Sequence, residues 1–342
     1  MMRRPKGREK VTPVLIMGSA GRDFHNFNMV FRDNPDYRVM AFISSAGHAN
    51  GIDQYPPSLA GALYSGGIPV YPEVELEDII SQHNVEFVFF SYSDVPHLEV
   101  MHQASRVLAA GANFSLLGPR QTMLAARVPV VSVTAVRAGA GKGPVSSRVA
   151  AWMKDRGHRV AVVTLPKRYL DLEKQAAQVI SGTQDMASAA VSPEERDEYE
   201  PYIAMGVPVC VGVDYGIVLR VAEKDSDVIV WDGGENDFPF TQSDLRLVVV
   251  DPHHAGEEST FHPGEVNFRM ADAFIVPKVG TATSTQLSAV QEKARNVRPN
   301  APVIMSEIAS GRGKGGDMKE RSDKLVNLLE QFEKRSLIQP PH

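Results

Sequence analysis

Short apolar runs alternate with helix-period segments along nearly the whole chain, and no other feature constrains the fold as tightly. Residues 14–17, 39–43, 87–90 and 114–117 are apolar and of strand length. Between them, Val74, Ile79 and Ile80 recur at helical spacing, as do Leu98, Met101, Val107 and Leu108. Strands alternating with helices read as βαβ units, in which helices cover both faces of a parallel sheet. Gly118-Pro119-Arg120 interrupts this pattern, and a second alternation begins at Pro129. Its expected strands are 130–136, 160–164, 228–231, 247–250, 273–276 and 303–305. A chain of 342 residues is long enough for two such domains. The expected division is 1–125, 126–310 and a tail of 311–342.

The second alternation opens on a phosphate-binding pattern. Val130 to Val136 reads as a strand, Arg137-Ala138-Gly139-Ala140-Gly141-Lys142-Gly143 as a glycine-rich loop, and a helix pattern continues through Val149, Ala150 and Met153. Glycines let backbone N–H groups converge on an anion, the helix N-terminus adds partial positive charge, and a lysine reaches the β- and γ-phosphates. Arg137, Gly139, Ala140, Gly141, Lys142 and Gly143 are therefore the expected nucleotide-binding residues. The match to G-x-x-x-x-G-K-[ST] is incomplete. Val136 stands at the first glycine, and Gly143 stands where a hydroxyl usually ligates Mg²⁺. Ser146 and Ser147 follow a turn later and would need a different loop to replace it. The alternative reading is a plain tight turn between strand and helix. The expected fold is thus α/β, with an N-terminal Rossmann-like parallel sheet followed by a P-loop NTPase-like domain.

Carboxylates at the ends of neighbouring apolar strands would complete the site. Asp232 ends one such run and Asp251 another. Both lie where ligands bind in open α/β sheets and are candidates for catalysis and for holding Mg²⁺, against the alternative of an ordinary turn aspartate. Asp251, His253, His254 and His262 have side chains of the kinds that ligate transition metals. Their spacing is not diagnostic of a metal site, and phosphate contact or surface exposure is the favoured reading.

The first domain has a polar loop after its first strand. Arg22, Asp23, His25, Asn26 and Asn28 gather at a helix start, and their side chains can bind an anion or a hydroxyl; Gly18 opens the loop and joins them as an expected substrate-binding residue. The alternative is helix capping and surface polarity. Ser91, Ser93, Asp94 and His97 end another strand and are expected at the same sheet edge. Asp94 joins the expected substrate-binding set.

Composition bounds the partners. Charged residues are 23% of the chain and the formal net charge is -5, so no basic excess points to nucleic acid or an anionic membrane. No apolar stretch approaches the ~18 residues of a membrane helix, and the apolar run after the basic N-terminus is too short for a signal sequence. With one cysteine, Cys210, in an apolar run, no intrachain disulfide can form. A buried strand residue in a reducing, cytoplasmic setting is expected. In the tail, 311–316 reads as a linker and Asp317 as an N-cap with Glu320 three residues on. Leu325, Leu329 and Phe332 then share a face that docks on the same domain, on a partner subunit of a homo-oligomer, or as a regulatory tail over the site.

Several runs also resemble a known family. Gly18-Ser19-Ala20-Gly21-Arg22-Asp23-Phe24-His25-Asn26-Phe27-Asn28, Asp214-Tyr215, the run from Trp231 to Phe240 and Asp251-Pro252-His253 are similar to the cyclic 2,3-diphosphoglycerate synthetase family, many of whose members are described as GTPases. The resemblance spans roughly 12–310. It implies a ligase-type activity that uses ATP or GTP with Mg²⁺ to transfer a phosphoryl group onto a small phosphorylated acid. On this reading Lys142 binds the nucleotide phosphates, Asp232 or Asp251 supports the metal, and Arg22, His25 and Arg137 meet the anionic substrate. The sequence departs from the family at Gly143 and at Pro277-Lys278-Val279-Gly280, where an Asn-Lys-x-Asp run is usual. Lys278 can still pack its stem on a purine. Family members also tend to continue well past the P-loop domain, whereas this chain ends after a short helix. These departures keep a second class open, a non-catalytic nucleotide or metabolite sensor that regulates a partner protein.

Overall fold

A computed structural model describes residues 11–45, 51–233, 237–306 and 323–336. Sixteen strands fall into three sheets among these residues. The first sheet contains β1 (Thr12–Met17), β2 (Tyr37–Ser44), β3 (Gln54–Tyr55), β4 (Ile68–Pro72), β5 (Phe87–Phe90) and β7 (Asn113–Leu116). Its order is β3-β4-β2-β1-β5-β7, and all pairs are parallel except β3 with β4. Val14, Leu15, Ile16 and Met17 are all fully buried, which is why β1 reads as a continuous apolar run rather than an alternating one. The chain steps outward from β1 on one side through β2 and β4, then returns to β5 on the other. The crevice beyond the carboxyl end of β1 is thus a switch point of the kind where ligands bind.

The second sheet contains β8 (Val130–Ala135), β9 (Val160–Thr164), β10 (Gln178–Ile180), β11 (Val209–Val211), β12 (Val228–Asp232), β13 (Leu245–Val249), β15 (Ala273–Val276) and β16 (Val303–Met305). The order is β10-β11-β9-β12-β8-β13-β15-β16, and only β10 runs antiparallel. The central strand β8 is buried along its whole length and lies between β12 and β13. The carboxyl ends of all three therefore meet at one edge. Residues 178–180 and 68–72 were not expected as strands, being too short or too polar to stand out. Cys210 lies in β11 as expected, and burial pushes its thiol up to about 12.

The helices that position the site are α1 (Gly21–Val30), α2 (Leu76–His83), α3 (His97–Ala109), α4 (Lys142–Asp155), α5 (Pro193–Ala204), α6 (Tyr215–Lys224), α7 (Ser284–Val297) and α8 (Asp323–Arg335). Two expected apolar faces need correction. Val74 precedes α2 and is exposed; α2 buries Leu76, Ile79 and Ile80. In α3, Leu98, Met101 and Leu108 face outward, while Val100, Gln103, Ala104 and Val107 face the sheet. Both stripes have helical spacing, and only packing against β5 and β7 chooses between them.

Helix α8 docks on the second sheet. Leu325, Leu329 and Phe332 join the core that holds Val131, Val133 and Val149, and such side chains contribute roughly 1.5–3 kcal/mol each when buried. Glu333 closes the contact by accepting from His158 Nε2 at 2.8 Å and Arg156 Nε at 3.0 Å. Residues 311–316, Asp317 and Glu320 lie outside the described residues.

A small antiparallel pair, β6 (Val95–Pro96) with β14 (Phe261–His262), joins the two halves of the molecule. An aromatic stack adds to it. His25 of α1 stacks on Tyr215 of α6 at 4.8 Å between ring centroids, and Tyr215 meets Phe240 at 4.5 Å.

Candidate functional site

The loop after β8 has the geometry of a phosphate cradle. Gly139 and Gly141 take φ values of +74° and +95°, which side-chain-bearing residues rarely adopt, and Lys142 opens α4. Val136, at the usual first glycine, is buried, and its carbonyl lies where a Cβ on Gly264 would collide at 2.1 Å. A glycine is therefore used at 264 rather than at 136. Gly143 is helical, and a Cβ there would meet nothing within 4 Å.

Lys142 Nζ donates to Asp232 Oδ1 at 2.8 Å and to the carbonyl of Gly233. Asp232 ends β12, the strand beside the P-loop strand, so the sheet itself sets this pairing. The Asp232 carboxylate also accepts from Ser146 Oγ at 2.9 Å and from Tyr202 Oη at 2.7 Å. Ser146 thus reaches the strand-end carboxylate. Neither contact is visible in the sequence. Tyr202 belongs to α5, a polar helix far along the chain.

Lys278 and Asp251 form a second ion pair beside the loop. Lys278 Nζ lies 2.5 Å from the buried Asp251 Oδ2 and 3.1 Å from the carbonyl of Gly139. Its ammonium is held on the P-loop backbone. Asp251 also accepts from the His253 N–H at 3.0 Å, a turn-capping contact. Arg137 points toward the first sheet. Its guanidinium donates to Asp94 at 2.9 Å and Glu257 at 2.6 Å and stacks over Phe261 at 3.5 Å. Arg137 and Asp94 thus bind each other across the two halves.

The polar loop of the first sheet is built tightly. Gly18 has φ +131°, and a Cβ there would overlap the Asp23 carboxylate, which accepts from the Ala20 N–H at 2.7 Å. Gly21 is pressed against the hydroxyls of Tyr215 and Tyr169, and its N–H donates to Tyr169 Oη at 2.8 Å. Burial, and then the nearby Asp237, push the Asp23 carboxyl well above the usual range. His25 donates to the Thr122 carbonyl at 2.6 Å. Burial, then Arg22, lower its pKa to about 3. Asn28, half-buried, accepts from Tyr55 and Arg32. His25 and Asn28 therefore support the loop and face away from its mouth.

Arg22 and Asn26 face a narrow cleft of about 20 Å³ with Ser91, Asp237, Phe238 and His262. Arg22 lies 3.7 Å over the Phe238 ring and donates to the Phe238 carbonyl at 3.3 Å. Asn26 donates to Ser91 Oγ at 2.8 Å. Arg22 Nη2 and Asn26 Oδ1 are buried without a hydrogen-bond partner among the described residues. Buried polar groups are nearly always paired, with protein or with ordered water, and these two line one cleft. Asp237 and Phe238 lie on the chain just past Asp232. Asn267 also ties the Asp237 carbonyl, at 3.2 Å, to the Ala135 carbonyl that ends β8, at 3.4 Å. Cleft and P-loop share these supports.

The histidines do not converge. His253 meets Thr281, His254 meets Glu257, and His262 lies in the cleft wall with its pKa lowered to about 4 by burial. Among the described residues no three His, Cys, Asp or Glu side chains form a metal-binding group. Mg²⁺ needs less from a protein, commonly one or two carboxylates besides the phosphates, and Asp232 beside Lys142 suits it.

No protein-family model matches the chain. Arginine synthetase ArcE of Thermococcus kodakarensis is 50% identical over 296 residues, which make up 86% of this chain and 66% of that relative. The chain thus spans a little under two thirds of the relative's length. Solved structures similar to the chain include LpxK of Aquifex aeolicus in complex with ATP, at 16% identity and TM-score 0.39, covering 67% of this chain and 64% of that one. A plasmid partition protein of Borrelia burgdorferi bound to AMPPNP has 12% identity and TM-score 0.36, covering 61% and 99%. A DUF1611 family protein of Anabaena variabilis has 10% identity and TM-score 0.27, covering 87% and 94%. Among the described residues no helix is long and apolar enough to cross a membrane.

Proposed function

We propose that this chain is an NTP-dependent synthetase that binds a nucleotide at the P-loop of the second sheet and a small substrate in the cleft below α1. The observation that carries this reading is Lys142, which opens α4 from a loop of two left-handed glycines and pairs with the strand-end Asp232. An incoming phosphate takes the ammonium of Lys142, and Asp232 Oδ1, still held by Ser146, faces the same space. Asp232 would hold Mg²⁺, whose role is to neutralise charge on the phosphates. Asp251 is held by Lys278, whose ammonium also binds the Gly139 carbonyl of the loop.

The name of the relative makes arginine the first candidate product. The cleft is consistent with a zwitterion. Its wall carries the buried Arg22 guanidinium and the Asn26 amide oxygen, and Asp23 is biased toward its protonated form. A doubly phosphorylated acid needs several cations in one place, and His25 and His262 are both biased toward neutrality. This weighs against 2,3-diphosphoglycerate as substrate.

Gly143 favours a second reading, a sensor that binds nucleotide without turning it over. Titration calorimetry with L-arginine and with 2,3-diphosphoglycerate, each in the presence of MgADP, separates the possibilities when paired with a MgATP turnover assay. Arginine binding that Arg22→Met abolishes supports the synthetase reading. Binding of the phosphorylated acid alone returns that substrate class. Nucleotide binding without turnover supports the sensor, and no nucleotide binding overturns both.

A further inference from the structure

The Asp232 carboxylate is engaged from both sides. Oδ1 accepts from Lys142 Nζ at 2.8 Å and Ser146 Oγ at 2.9 Å, and Oδ2 accepts from Tyr202 Oη at 2.7 Å. Ser146 is fully buried in the first turns of α4, and Tyr202 is buried in α5, which the chain inserts between β10 and β11. One turn before Ser146 stands Gly143, open on its Cβ side and without the hydroxyl that usually steadies a P-loop metal.

We propose that Tyr202 and Ser146 are positioning residues that hold the Asp232 carboxylate toward a nucleotide-bound divalent cation, in place of the hydroxyl that Gly143 lacks. The proposal rests on the nucleotide reading above. The terminal torsion of an aspartate is soft and roughly two-fold, so a single donor leaves it free to turn. Donors on opposite oxygens remove that freedom. When a phosphate draws Lys142 away, Oδ1 loses one partner, and Ser146 and Tyr202 keep the group in place. Outer hydrogen bonds of this kind commonly set metal affinity by about 10–100-fold.

The test uses the full chain and Mn²⁺ as the probe. Mn²⁺ affinity of the ADP-loaded protein is read by electron paramagnetic resonance, and ADP affinity is measured separately in EDTA. Tyr202→Phe keeps the ring in its core position and removes only the hydroxyl; Ser146→Ala is the second variant. Each is expected to weaken Mn²⁺ binding about tenfold or more while ADP affinity in EDTA stays within about threefold. Gly143→Ser added to Ser146→Ala is expected to restore most of the loss. If both variants bind Mn²⁺ within about twofold of wild type, with ADP bound normally, the positioning role is overturned. A wild type that binds no ADP even in EDTA overturns the nucleotide reading instead, and the proposal with it.

Discussion

Lys142 and Asp232 lie 2.8 Å apart, a cation from a helix N-terminus held by a carboxylate from the next strand. The pair is partly exposed, so its own contribution to stability is small. Its importance is that a nucleotide has to exchange one partner for another. Lys142→Met is expected to weaken binding of ADP or ATP by about 2 kcal/mol or more, the range of a charge-assisted contact. The fold should survive, because Asp232 keeps Ser146 and Tyr202. Calorimetry giving equal affinities for the two proteins would remove the P-loop from the nucleotide site.

Gly143 leaves space and lacks chemistry. A Cβ there meets nothing within 4 Å, so Gly143→Ser fits without rearrangement. The serine hydroxyl would stand beside the phosphates at the start of α4. The wild type is expected to hydrolyse MgATP well below the ~1–100 s⁻¹ of kinases, and the variant to reach half-maximal nucleotide binding at lower Mg²⁺. Kinase-like turnover by the wild type, or an unchanged Mg²⁺ titration in the variant, would show that the missing hydroxyl is immaterial.

His25 makes stability depend on pH. It is neutral and buried, donates to the Thr122 carbonyl, and has its pKa lowered to about 3 by burial and then by Arg22. The unfolded chain binds that proton near the ordinary value of about 6.5. Between these values the unfolded state holds more protons, so stability falls as pH falls. His25→Gln keeps an N–H donor without a titrating group. The stability advantage of wild type over this variant should shrink by about 1.4 kcal/mol per pH unit below about pH 6.5. The raised pKa of Asp23 acts in the opposite direction, but it is common to both proteins and drops out of the difference. Urea unfolding at pH 7, 6 and 5 measures it; parallel curves would mean that His25 is hydrated and free to protonate.

The α/β pattern and the P-loop were legible in the sequence because each depends on neighbours in the chain. An apolar run, two glycines, a lysine and a helix pattern specify β8, the loop and α4 locally. Asp232 was legible for the same reason, as the carboxylate that ends β12. Its partners were not. Tyr202 reaches it from a polar helix whose sequence reports only a capping box at Ser192 and Glu195. Arg137 looked like a phosphate ligand because it sits in the loop, yet Asp94 and Glu257 hold it, and both are remote in sequence. Arg22 and His25, adjacent in type and position, diverge for a geometric reason. One points into the cleft, and the other turns under the helix to a carbonyl.

Lys278 bears on which base the site accepts. Where guanine is selected, an aspartate two residues beyond such a lysine accepts from the ring N–H and the exocyclic amino group. Gly280 stands at that position, and among the described residues a Cβ there would meet nothing within 4 Å. The loop from Pro277 nonetheless lies against the P-loop. Lys278 adopts φ +58°, its carbonyl accepts from the Thr281 N–H at 3.1 Å, and its ammonium binds the Gly139 carbonyl at 3.1 Å. The lysine therefore steadies the cradle, and its stem can flank a purine of either kind. A site without a matched polar acceptor loses most of its discrimination, since selectivity arises from leaving buried groups unpaired with the wrong ligand. ATP is expected to bind at least as well as GTP. Competition of the two against a fluorescent ADP decides it. A preference for GTP of ~100-fold or more would mean that a residue outside 277–280 reads guanine, and that Lys278 serves the phosphates alone.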